Sequence, residues 1–64
     1  MLESPQKDEL INLEKERLKV IFIKEKYNQE EKLDFIKEKI KYAKIEKDEI
    51  SLKACNLLLK ELED

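Results

Sequence analysis

Apolar residues recur along this chain at helical spacing, in stripes that change phase partway. In the first half Leu10, Leu13, Val20 and Tyr27 follow a 3-4 rhythm, and Ile11, Leu18 and Phe22 make a second strip on the same helix. In the second half Leu33, Ile36, Ile40 and Ala43 keep the same rhythm on another phase, and Ile50, Ala54 and Leu57 continue it. Extending the first phase past Tyr27 lands on Glu31, Asp34 and Glu38. A turn near Asn28 accounts for the offset, and Asn28 with Glu31 spells the two ends of a capping box. Ser4-Pro5 marks a helix start, because serine caps free N–H groups and proline suits the first helical position.

The expected fold is therefore all-α. An antiparallel helical hairpin, with helices over about 5–27 and about 29–62, dimerises into a four-helix bundle with coiled-coil-like packing. The alternative is a three-helix bundle, in which Asp48 caps a third helix and Ser51 adds a mild break. Both fit one domain spanning residues 1–64, with a frayed C-terminus, since Glu61, Glu63 and Asp64 sit at the negative end of the helix dipole.

The run Val20-Ile21-Phe22-Ile23 separates these possibilities from a lone hairpin. Successive helical residues point about 100° apart, so four apolar residues in a row are apolar on every side. Such a helix must be covered from more than one direction, by a third helix or by a second copy of the chain. Residues Leu13, Val20, Ile21, Phe22, Ile23, Leu33, Ile36, Ile40 and Leu57 are the expected core and oligomer interface. A further line through Phe35 and Tyr42 could receive a partner helix.

Composition narrows the function classes. The 64 residues are 47% charged, with no glycine, no histidine and one cysteine. The absence of glycine removes the phosphate loops and tight turns that need positive φ. One thiol without histidine makes neither an internal disulfide nor a zinc site. The carboxylates are accounted for by caps and surface pairs, so no catalytic residue, cofactor or metal is expected, and the chain is not expected to be an enzyme. Its longest apolar run of four residues cannot cross a membrane. The expected location is the cytoplasm.

Charge bears on partners. Residues 5–27 and 28–47 each carry six bases and five acids, while 48–64 carry two bases and five acids. Lys37, Lys41 and Lys44 share one side of a helix and could follow a phosphate backbone, although pairs with Asp34, Glu38 and Asp48 would make them a solvated face. Arg17, the single arginine, is a candidate for pairing with Glu14 or for a ligand. The 13 lysines and seven isoleucines suit an AT-rich genome or a thermophile, and small helical proteins of viruses and plasmids share this composition.

In length and layout the chain resembles the small homodimeric hairpin proteins of plasmids, the Rop type. No motif matches residue by residue, so their RNA binding is not carried over. The expected function is a self-associating protein–protein interaction module, adaptor or small regulator. The alternative is a nucleic-acid-binding regulator using the lysine face.

Overall fold

The computed structural model describes residues 3–63, with side chains from Lys7 to Glu63. The chain folds into three helices, α1 (Glu3–Glu25), α2 (Gln29–Glu46) and α3 (Glu49–Glu63), within an envelope of 40 × 23 × 21 Å. The pair Lys7–Glu49 at one end and Lys15–Glu61 at the other make α1 and α3 parallel. Gln29 meets Leu62, so α2 runs the other way, and α3 packs against both of the others. Helix α1 is already formed at Glu3, ahead of the start expected at Ser4-Pro5, and it ends at Glu25 rather than Tyr27. The Ser4 cap itself falls outside the described side chains.

Both turns are built the same way without glycine. At the end of α1, Lys26 takes a left-handed conformation (φ 56°), its N–H donates to the Ile23 carbonyl at 3.2 Å, and the Tyr27 N–H donates to the Phe22 carbonyl at 3.0 Å. At the end of α2, Lys47 does the same (φ 58°). Its N–H donates to the Lys44 carbonyl at 3.3 Å, and the Asp48 N–H reaches the Ala43 carbonyl at 2.9 Å. Each is a Schellman motif with lysine where glycine usually stands. The motif after α1 also carries the apolar contact that often accompanies it. There the Phe22 and Tyr27 rings lie 6.3 Å apart.

Each turn hands directly to the next helix cap. Asn28 forms the expected capping box: its side-chain oxygen accepts from the Glu31 N–H at 2.8 Å, and the Glu31 carboxylate accepts from the Asn28 N–H at 2.9 Å. Asp48 accepts from the Ser51 N–H at 3.2 Å and from the Ser51 hydroxyl at 2.9 Å. These hydrogen bonds lower the Asp48 pKa, the backbone one most.

The Asp48 cap corrects the reading of one helix over about 29–62. The three-helix alternative fits the chain. The apolar phase runs across Lys47-Asp48 unbroken in sequence, but the left-handed lysine turns the chain and gives α3 a new direction. Ala54, Cys55 and Leu58 then point inward, while Leu57, expected in the seam, stays exposed.

The core is small and close. Leu18 and Phe22 of α1, Ile36 of α2, and Cys55 and Leu58 of α3 form one buried cluster, with Ile21, Tyr27, Phe35, Ile40, Leu59 and Leu62 packed against it. Full burial of a leucine contributes about 1.5–3 kcal/mol, so these few side chains supply much of the driving force. At the α1–α2 end Phe35 stands edge-on to Phe22 at 6.0 Å and lies 5.7 Å from Tyr27, while the Lys32 ammonium sits 5.7 Å over the Phe22 ring.

Candidate interaction surface

The two sides of α1 differ in what covers them. Ile11, Leu18 and Phe22 face inward and are buried. Leu13 and Val20, which lie within about 20° of one another around the helix, point the opposite way. Leu10 and Ile23 lie three residues beyond them at either end, each turned about 60° further around the helix and to opposite sides. Exposure is 51% at Leu10, 59% at Leu13, 57% at Val20 and 77% at Ile23. Together they make an apolar strip about 20 Å long that slants across about 140° of the helix surface, on a helix already packed along its other side.

The strip is bordered by charge in a particular order. Glu9 and Glu16 flank the first half of the strip, and Arg17 and Lys24 the second. All four are exposed. Arg17 also lies 3.7 Å from the Glu14 carboxylate, the local pairing anticipated from the sequence.

Of the four-residue apolar run, α2 and α3 therefore cover only part. Phe22 is buried and Ile21 half-buried, whereas Val20 and Ile23 are left in solvent. Among the other interface candidates, Ile36 is buried and Leu33 and Ile40 are half-buried.

Along the line suggested as a groove, Phe35 and Tyr42 differ in burial. Phe35 belongs to the aromatic cluster with Phe22 and Tyr27, and Tyr42 lies outside beside exposed Ile45.

The inner flank of α1 is pinned by ions. Lys15 donates to Glu61 at 2.8 Å, Lys19 lies 3.5 Å from the same carboxylate, and Lys7 reaches Glu49 at 4.0 Å. The hydrogen bond from Lys15 is the main cause of a lowered Glu61 pKa. Gln29 adds a side-chain hydrogen bond to the Leu62 carbonyl, which ties the end of α3 to the start of α2.

Lys37, Lys41 and Lys44 are exposed on α2, and the pairs expected with Asp34, Glu38 and Asp48 do not form among the described residues. Asp48 is taken by Ser51. Glu30 and Asp34 share the same side of α2, so the row is mixed in sign.

Two shallow clefts lie among the described residues. One, of about 270 Å³, lies among Lys19, Phe22, Ile23, Lys32, Leu58 and Glu61. The other, of about 340 Å³, borders the α2–α3 turn at Lys44, Lys47, Asp48, Glu49 and Leu52. The first offers a single carboxylate, and in the second Asp48 is already engaged by Ser51. Among the described residues no group of three His, Cys, Asp or Glu could hold a metal ion. Cys55 is fully enclosed, and burial pushes its thiol pKa up, away from the thiolate that reactivity requires. No described helix is long and apolar enough to cross a membrane.

Leu10, on the stripe of Leu13 and Val20 in the sequence, was not among the expected interface residues. Its signal was the three-residue step to Leu13. Leu58 was missed in the core for a different reason, since its phase is set by the Asp48 cap. No protein family, curated protein or solved structure matches this chain.

Proposed function

We propose that this chain is a non-enzymatic interaction module, an adaptor or small regulator, that self-associates through the outer face of α1. The observation that carries this reading is the exposure of Val20 and Ile23 in a four-residue apolar run whose other members are packed inside. A contiguous apolar strip rimmed by charge on a small protein is a common mark of a protein–protein surface. The unit is then an oligomer of three-helix chains, not a hairpin dimer of four helices.

Sedimentation together with thermal melts tests it. The sedimentation coefficient and melting temperature should both rise with protein concentration. Val20→Asp should leave a folded monomer whose melt no longer depends on concentration. A compact wild-type monomer up to millimolar concentration would overturn the reading.

A second reading, regulation through nucleic acid, is favoured by one observation. The Lys37, Lys41 and Lys44 ammonium groups are exposed without a carboxylate within 4.0 Å among the described residues. Binding to mixed RNA or DNA would then weaken steeply with salt. Affinity that is absent at low salt would dismiss it.

A further inference from the structure

We infer that the occupant of the outer α1 strip is the same strip of a second copy, laid antiparallel about a two-fold axis level with the midpoint between Glu16 and Arg17. This rests on the self-association reading and specifies its geometry.

The apolar positions are nearly symmetric about that point. An antiparallel copy sets Leu13 level with the partner's Val20, and Leu10 level with the partner's Ile23. Leu13 and Val20 then face an apolar neighbour across the seam, while Leu10 and the partner's Ile23, at the same height, border that contact on its two edges. Every residue used lies on one continuous helix whose opposite side is already occupied within the chain. The partner therefore approaches from the side that no other described element obstructs.

Charge selects the direction. The strip is acidic in its first half (Glu9, Glu16) and basic in its second (Arg17, Lys24). In the antiparallel arrangement Glu9 stands level with the partner's Lys24 at both ends of the contact. In a parallel arrangement Glu9 meets Glu9 and Lys24 meets Lys24. The central group holds two glutamates and two arginines in either orientation, so its composition is the same and the ends decide. Leu13 and Val20 are seven residues apart, or about 10 Å along the axis. An off-register parallel pairing would therefore leave an apolar side chain at each end without a partner.

Cysteine cross-linking tests the geometry directly. Leu13→Cys and Val20→Cys are made as separate proteins. Native Cys55 is retained, because it is fully buried and should not react. Under mild oxidation neither variant alone should form a disulfide-linked dimer, since the like residues stand about 10 Å apart. An equimolar mixture should form the mixed disulfide in high yield.

Disulfide dimers from either variant alone would mean parallel pairing. They would overturn this inference while leaving self-association standing. A wild-type dimer by sedimentation with no cross-link in any sample would place the contact on another face and overturn it as well. A wild-type monomer at every concentration would remove the self-association reading itself.

A charge reversal gives a second measure. Glu9→Lys should raise the dimer dissociation constant about tenfold, by turning attraction into repulsion at both ends. The double variant Glu9→Lys, Lys24→Glu should restore it. Failure of the double variant to recover would overturn the antiparallel assignment.

Discussion

Helices α1 and α3 share the same bundle but are written on different plans. The side of α3 turned from the core carries Glu49, Lys53, Asn56, Lys60 and Glu63, every one exposed and polar. The corresponding side of α1 carries Leu10, Leu13, Val20 and Ile23. α3 touches both neighbours and needs nothing more, so its sequence is two-sided. α1 is apolar on two opposite sides, although one of them suffices for the bundle. Burial within the chain accounts for every large apolar residue of α3 except Leu57. It leaves the row on α1 unexplained, and that contrast is the basis for placing the interaction surface there.

Truncation should separate the two plans most strongly. Leu58→Ala removes a fully buried side chain at the centre of the core. Such cuts cost about 2–5 kcal/mol, against a total of about 3–10 kcal/mol for a domain this size. Equilibrium denaturation should find the variant largely unfolded, or nearly so, at room temperature. Leu13 is exposed. Its truncation, Leu13→Ala, should shift the stability of the dilute monomer by no more than about 0.5 kcal/mol. Comparable losses at both positions would erase the distinction between inner and outer faces.

The caps come next. Asn28→Ala opens the box at the start of α2, at a cost of about 1 kcal/mol. Asp48→Ala removes the cap of α3 and should also destabilise the chain. The α3 variant carries a sharper consequence, because Asp48 sits at the break that divides residues 29–62 into two helices. If the cap alone makes the break, circular dichroism should show Asp48→Ala gaining helix as stability falls. If helix content simply drops, Lys47 in its left-handed turn holds the break by itself.

Most of α2 and its entry were legible in the sequence. Asn28 and Glu31 announce the cap by residue type and spacing, and Ile36 lies on the stripe that defines the seam. The α2–α3 break was harder to read, since an uninterrupted apolar phase crosses Lys47-Asp48 and neither Gly nor Pro marks it. A left-handed lysine has no sequence signature of its own. Once that direction is reset, residue identities past Asp48 cannot say which leucine points inward. Leu57 and Leu58 therefore exchange roles between pattern and fold. On α1 the difficulty was ambiguity: two apolar strips on one helix are equivalent in sequence, and only the position of α3 decides which is core. The sign order of the charges along the outer strip could have been read from Glu9, Glu16, Arg17 and Lys24 once that choice was made.

The two lysine turns offer a smaller effect of opposite sign. A left-handed conformation is costly for any residue with a Cβ and nearly free for glycine. Both Lys26 and Lys47 adopt it. Lys26→Gly and Lys47→Gly should each raise stability by about 0.5–1 kcal/mol, measured as an upward shift of the denaturation midpoint. Neither should change the concentration dependence of the melt, because both turns lie outside the α1 strip. A loss of stability in either variant would show that the lysine side chain contributes more than its backbone strain costs.

The smallest effect is a pH dependence that belongs to the α3 side of the comparison. Asp48 and Glu61 both have pKa values below those of unpaired carboxylates, held down first by hydrogen bonds from Ser51 and Lys15 respectively. For a group whose folded pKa is depressed, the stabilisation is present above the unfolded pKa and lost as pH falls through the folded one. Unfolded Asp and Glu titrate at about pH 4, so the loss should begin there and continue downward. Glu61 is exposed and Asp48 only half-buried, so solvent screening keeps the effect modest. Asp48→Asn keeps an acceptor for the Ser51 N–H but cannot titrate. It should be less stable than wild type at about pH 7 and converge with it at about pH 2, which melts across that range would measure. A constant gap between the two proteins at every pH would mean that the Asp48 charge contributes nothing beyond its hydrogen bonds.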